Sequence, residues 1–232
     1  MAETTTSETA VFFQVSAQTP VHAAPAEVYT LISDLYLALF THGRLRAGET
    51  VLAAGAAGNV GSALVRFAAD AGARVIATSS ADDAAYCRSL GAEAVLDYRD
   101  PELTELVREL SPEGIDLHLD TSGGNDLIAA VELLAHRGRI VLLAGARSTP
   151  HLPVGPLCMK DGSIVGFAIS HATAAELSEA ARAINRPLAA GRLRPRAVDV
   201  WPLSAAAEAH RRMERGELHG KRLVLEVRAA DG

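Results

Sequence analysis

Val51-Leu52-Ala53-Ala54-Gly55-Ala56-Ala57-Gly58-Asn59-Val60-Gly61 decides the fold. An apolar run of strand length passes without a break into three glycines, and a second apolar series follows at helical spacing: Val60, Ala63, Leu64, Phe67, Ala68 and Ala71. Gly72 then supplies a stop. Glycines between a buried strand and a helix let the backbone turn sharply and bring an anion close to the free amides and positive end of that helix. The last of them, Gly61, lets the helix lie against the sheet. The spacing is Gly55-x-x-Gly58-x-x-Gly61, a departure from G-x-G-x-x-G in which Ala57 stands in front of Gly58.

Outward from this turn, strand and helix patterns alternate with short connections, as right-handed βαβ units of a parallel sheet do. Strands are predicted at 50–54, 74–78, 94–97, 115–120, 139–143 and 163–168. Helices are predicted at 59–71, 82–90, 102–110 and 125–135. Upstream, Pro25 precedes Val28, Leu31, Ile32, Leu35 and Leu39 on one helical face, so a helix ending near His42-Gly43 is expected, with a short strand at Val11–Val15 before it. Residues 1–10 are small and polar and are expected to fray. Downstream, Thr173-Ala174-Ala175-Glu176 is a capping-box pattern opening a helix that runs to about Ala190. A strand near 197–201, a helix near 204–215 and a strand at 222–227 complete the chain, and the proline-bearing stretch 147–159 is read as a ligand-side loop. The fold class is therefore α/β, a Rossmann-type doubly wound parallel sheet with helices on both faces. Its units are an N-terminal tail and strand at 1–24, a nucleotide-binding domain at 25–190, and a strand-helix-strand segment at 191–232 packed on that domain.

The 232 residues are 49% hydrophobic and 22% charged, the composition of a folded chain, which excludes collagen-like and wholly disordered classes. With 28 acidic against 22 basic side chains the formal charge is −6 and no basic block offsets it, so a nucleic-acid partner is not expected. Cys87 and Cys158 stand apart in sequence and outside any Cys/His cluster, so neither a disulfide framework nor a zinc site is signalled. No basic start with an apolar run opens the chain, and no apolar stretch approaches bilayer length. A cytoplasmic protein without membrane contact is the expectation.

The second strand ends Thr78-Ser79-Ser80, with no carboxylate until Asp82. An acid at this place binds the ribose 2′-hydroxyl of NAD, whereas hydroxyls and cations accept the 2′-phosphate of NADP. The hydroxyls lean toward NADPH. Asp82 and Asp83 oppose it by repulsion, and Arg88 and Arg99 are the available cations.

Six stretches, in order, resemble the zinc-independent medium-chain dehydrogenase/reductases, meaning quinone oxidoreductases and polyketide enoyl reductases. They are HGRLRAGETVLAAGAAGNVGSALVRFAADAGARVIATSS, LGAEAVLDYRD, IDLHLDTSGG, GRIVLLAG, MKDGSIVGF and PLSAAAEAHRRMERGELHGKRLVLEV. The resemblance implies that Gly58, Asn59, Val60 and Gly61 cradle a pyrophosphate, with Gly55 at the turn. It implies that Thr78 and Ser79 face the adenosine ribose beside Tyr98, that Ser122 borders the cofactor, and that Phe167 and Ile169 lie near the nicotinamide. It departs from the family at Asp83, where NADP-using members often carry lysine, and at the front, where a GroES-like catalytic domain is expected and only about 24 residues precede the connecting helix. Val11–Val15 is expected to pair with the last strand as a remnant of that domain, and a homodimer mate or a partner protein to complete the substrate cleft.

The implied activity is hydride transfer from NADPH to a conjugated C=C, a quinone or a polyketide intermediate. The alternative is a non-redox descendant, such as a cyclase, dehydratase or isomerase, or a partner-binding protein with a vestigial nucleotide site. Candidate proton donors are His151, His171 and Lys160, together with His118 inside the fourth strand. No GxSxG elbow and no metal-ligand spacing stands out.

Overall fold

The computed structural model describes residues 33–143, 148–193, 196–215, 217–218, 220 and 222–226. Six strands form one parallel sheet: β1 (Thr50–Ala54), β2 (Arg74–Ser79), β3 (Ala94–Asp97), β4 (Ile115–Asp120), β5 (Leu134–Leu142) and β6 (Ser163–Gly166). Their order is β3-β2-β1-β4-β5-β6, so the winding reverses between β1 and β4. Such a reversal leaves a crevice at the carboxyl ends of the two central strands.

Helices α1 (Asn59–Asp70), α2 (Ala84–Ser89), α3 (Leu103–Leu110) and α4 (Leu127–Leu133) connect the first five strands. Helix α1 buries Ala63, Leu64, Val65, Phe67 and Ala68 in the main core with Val51, Ala53, Val75, Ala77, Leu117 and Leu119. Behind the sheet, Leu52, Ile76, Val107, Ile115 and Leu133 form a second core. A helical segment at 33–42 closes the first face through Leu35, Ala38 and Leu39, its last turns widened to five-residue spacing over Leu37–His42. It ends at Gly43, whose amide bonds to Ala38 O at 2.8 Å and where a β-carbon would lie 2.5 Å from that oxygen. Helix α6 (Ala174–Ala189) lies on the same side through Ala180 and Ile184, opened by the expected capping box of Thr173 and Glu176.

Three departures from the pattern-based reading have a clear physical cause. Helix α4 starts at Leu127 because Asn125 sits in the left-handed region (φ 48°) and Asp126 caps the amides of Ile128 and Ala129 at 3.1 Å. Strand β5 begins at Leu134, before the expected Arg139, through a bulged register against Ile115. Within the stretch read as loop, Val154–Met159 forms helix α5. Pro153 caps it and Pro156 falls in its first turn, where an amide is not needed.

The C-terminal elements are β7 (Val198–Pro202), α7 (Ala206–Glu214) and β8 (Arg222–Glu226), and β7 pairs with β8 in a separate parallel two-stranded sheet. Among the described residues the partner of β8 is β7. The strand expected at Val11–Val15 lies outside the described residues. Among the described residues no helix is long and apolar enough to cross a membrane.

Candidate functional site

At the winding reversal a cleft of ≈ 660 Å³ opens. The turn between β1 and α1 supplies Gly55, Ala57, Gly58, Asn59, Val60 and Gly61 to it; the end of β2 supplies Ser79, Ser80, Asp82 and Asp83; the ends of β3 and β4 supply Tyr98, Arg99, Thr121 and Ser122. Gly55 is held at φ 75°, and a β-carbon there would lie 2.9 Å from Thr121 Oγ1. At Gly61 a β-carbon would lie 2.2 Å from Gly55 O and 2.8 Å from Ala56 Cα. The glycine turn is therefore folded onto the first turn of α1, and no side chain caps that helix. Its leading amides, with the positive end of the helix dipole, face a concave surface.

The opposite lip is built by Asp120. Its carboxylate accepts from Ser122 N at 2.7 Å, Ser122 Oγ at 2.6 Å, Gly123 N at 3.3 Å and Asn125 N at 2.6 Å. Thr121 Oγ1 donates to Ala54 O at 2.8 Å and so ties the ends of β1 and β4 together. These contacts fix where Ser122 stands, and they consume the Asp120 carboxylate as an acceptor.

At the β2 end, Ser79 Oγ donates to Ser80 O at 2.9 Å and Ser80 Oγ donates to Asp83 at 2.8 Å. Asp83 is 2% exposed, and its other oxygen is paired with Arg196, whose guanidinium also lies 4.8 Å over the Tyr86 ring. The Asp83 carboxylate, expected with Asp82 to repel a phosphate, is thus paired with a residue far along the chain. Across from it, Tyr98 is 53% exposed and carries the Arg99 guanidinium 4.8 Å from its ring centre. Behind Ser79, burial pushes the Cys87 thiol up, which keeps it un-ionised and unreactive.

Of the residues singled out in sequence, Gly55, Gly58, Asn59, Val60, Gly61, Ser79, Tyr98 and Ser122 are brought together in this cleft. Thr78 is not. It is buried in β2, where its carbonyl accepts from Ala56 N at 3.0 Å. Phe167 stacks on His42 at 4.3 Å, and Ile169 begins a short helical turn after β6; neither lines the cleft.

Three of the four proton-donor candidates are also elsewhere. His151 and His171 are exposed outside the cleft, and Lys160 Nζ donates to the carbonyls of Glu132 at 2.6 Å and Leu134 at 2.5 Å. Lys160 thereby satisfies carbonyls where α4 passes into β5, and burial lowers its pKa. Thr121 and Asp120 were missed, although the Asp120-Thr121-Ser122-Gly123 sequence directly after a strand carries the signal of a hydrogen-bonded turn. Among the described residues no group of three or more His, Cys, Asp or Glu side chains could hold a metal ion.

A parallel sheet of this order with a glycine turn at its switch point defines a Rossmann-like α/β protein. The chain belongs to the medium-chain dehydrogenase/reductases: the family model described as zinc-binding dehydrogenase matches residues 59–186, more than half of its length. It is 28% identical over 193 residues to the quinone oxidoreductase of Homo sapiens, covering 82% of this chain and 58% of that one. Among solved structures it is similar to AibC, with a TM-score of 0.74 and 32% identity over 84% of this chain and 58% of the other. A mycobacterial quinone oxidoreductase also superposes with a TM-score of 0.74, at 28% identity over 85% of this chain and 63% of the other. The chain thus spans somewhat more than half the length of the relatives it matches.

Proposed function

We propose that this chain is the nucleotide-binding part of a zinc-independent, NAD(P)H-dependent oxidoreductase of the quinone- or enoyl-reductase type. The observation that carries the reading is the glycine cradle. Gly55 is held in the left-handed region against Thr121, and Gly61 has no room for a side chain, so the uncapped start of α1 is presented to the cleft. A dinucleotide diphosphate fits this arrangement because it is an anion that backbone amides and a helix dipole hold without any cationic side chain.

In this reading the amides of Asn59, Val60 and Gly61 bind the diphosphate, and Ser79 and Ser80 offer hydroxyls to the adenosine ribose. Tyr98 and Arg99 form the outer wall, where the guanidinium favours a 2′-phosphate and so NADPH over NADH. Asp120 holds Ser122 against the opposite side of the bound nucleotide. The cofactor supplies a hydride for an electron-poor carbon, such as the β-carbon of an enone or a quinone carbon. Titration calorimetry with NADPH, NADP, NADH and NAD, followed by enone- and quinone-dependent NADPH oxidation, tests the reading. Binding of at least one reduced nucleotide is expected, and silence toward all four sinks it.

A further inference from the structure

The serine and threonine side chains that line the cleft share one feature: each has already given its proton to the protein. At the β4 end, Thr121 Oγ1 donates to Ala54 O at 2.8 Å and Ser122 Oγ donates to Asp120 at 2.6 Å. At the β2 end, Ser79 Oγ donates to Ser80 O at 2.9 Å and Ser80 Oγ to Asp83 at 2.8 Å. The direction of each bond is fixed, because a carbonyl or carboxylate oxygen accepts and a hydroxyl has a single proton. What the hydroxyls keep is lone pairs. Ser122 is exposed; it spends one lone pair on Gly124 N at 3.2 Å, and among the described residues the other is left for the cleft. Turning its proton toward a ligand would break a short bond to a carboxylate, one of the stronger hydrogen bonds a protein makes. That carboxylate is itself held by the amides of Ser122, Gly123 and Asn125.

Strand order turns this into a polarity across the cleft. β1 lies between β2 and β4, so the amides of the glycine turn have a lip of acceptor oxygens on either side. Arg99 stands farther out, at the end of β3. A phosphate offers acceptors and fits the amides in the middle, whereas a sugar hydroxyl has a proton to give and fits the lips. We infer that Ser122, backed by Thr121, is a specificity-determining acceptor for a sugar hydroxyl on the β4 side of the diphosphate, so that the cleft selects diphosphates joining two sugars over nucleotides that end in a phosphate. The inference rests on the diphosphate cradle proposed above and deepens it. Dinucleotides and nucleoside diphosphate sugars share this chemistry. In a nucleotide such as ADP the terminal phosphate would instead turn its oxygens toward the oxygens of Thr121 and Ser122, where no hydroxyl proton is available to join them.

The test is calorimetric binding of ADP-ribose, ADP, NADH and NADPH to the full chain, with thermal unfolding of each variant as a check on folding. In the parent, ADP-ribose is expected to bind more tightly than ADP by about tenfold or more. Ser122→Ala is expected to remove most of that advantage, weakening ADP-ribose by about tenfold while ADP stays within about threefold. Ser122→Thr, which keeps an acceptor oxygen, is expected to hold ADP-ribose within about threefold of the parent. ADP bound as tightly as ADP-ribose by a parent that binds NADH or NADPH overturns the inference and leaves the nucleotide site intact; this comparison needs no variant. Equal weakening of ADP and ADP-ribose by Ser122→Ala overturns it as well, since that is the mark of a hydroxyl that donates to phosphate or merely shapes the lip. Preference for ADP-ribose over ADP without binding of either nicotinamide nucleotide supports the acceptor lip, assigns the cleft to nucleoside diphosphate sugars and sinks the oxidoreductase reading. A parent silent toward all four removes both.

Discussion

Gly58 and Gly61 belong to one turn but face different constraints. A β-carbon at Gly58 would meet only Gly55 O, at 3.3 Å, and its φ of −69° suits any residue. At Gly61 the clash is with backbone on two residues that cannot step aside. Gly61→Ala is therefore expected to push α1 off the glycine turn, with a loss of about 1–3 kcal/mol in stability. Nucleotide affinity should fall by about tenfold or more as the amides lose their common focus. Gly58→Ala is expected to cost less than about 1 kcal/mol and to leave binding within about threefold. Urea unfolding and calorimetry on the two variants measure the contrast, and equal penalties at both positions would contradict the assigned roles. His118 makes the second residue-scale case. It lies in β4 in register with Leu52 and Ile140, and its Nδ1 is fully enclosed with no hydrogen-bond partner among the described residues. Burial pushes its pKa down to about 4, against the opposing pull of Asp120 and Asp126. The fold thus holds the ring neutral. Between pH 6.5 and about 4 the unfolded chain binds a proton that the folded chain refuses, so this contribution is fully present above pH 6.5 and lost as pH falls toward 4. His118→Leu is expected to flatten the stability profile across that window, read as urea midpoints at a series of pH values. An unchanged slope would show that the ring already carries its proton in the folded state.

At the scale of elements, one arginine ties the end of the connecting helix to the sheet. Arg139 in β5 makes a two-pronged pair with Glu49 at 3.1 and 2.6 Å and donates through Nε to Gly43 O at 2.6 Å. Both side chains are largely buried, and Glu49 also accepts from Arg46 N at 2.9 Å. Arg139→Met leaves the Glu49 carboxylate and the Gly43 carbonyl without this partner, and a loss of about 2–4 kcal/mol is expected by denaturant unfolding. Glu49→Gln/Arg139→Met should cost less than the sum of the single changes, since the stranded charge disappears with its mate. Strict additivity would mean that the pair does not couple. The elements themselves were readable because β1 and β2 carry short apolar runs, β4 alternates apolar with polar residues and α1 repeats at helical spacing. The misread positions share one physical cause, side-chain chemistry that local pattern does not contain. Asn125 in the left-handed region cuts α4 short, and Pro153 and Pro156, ordinarily loop signals, instead lie at a helix start. In the site, the glycine turn was legible because its constraint is local. The Asp83–Arg196 pair was not, because no spacing rule links residues so far apart.

For the whole molecule, the two sheets are supported very unequally. Strands β1 and β4 are hydrogen-bonded on both sides and packed between two cores, with Val51, Ala53, Leu117 and Leu119 fully buried. Strands β7 and β8 have each other as sheet partners, and Val198 and Val200 of β7 remain 46% and 59% exposed. Their unit contributes Ala209 of α7 as a buried residue and reaches the large domain through Arg196 and Asp83. A two-stranded parallel pair with one face uncovered recovers little of the entropy spent in ordering it. Native-state hydrogen exchange should therefore separate two cooperative units. Amides of β1 and β4 are expected to exchange only by global unfolding, and those of β7 and β8 about 100-fold faster or more, through local opening. Because Arg196 precedes β7 by two residues, Arg196→Gln should widen that gap by accelerating β7 and β8 while leaving β1 and β4 limited by global stability. Uniform protection across both sheets would mean that they unfold together, and that the C-terminal segment is held by more than the pair described.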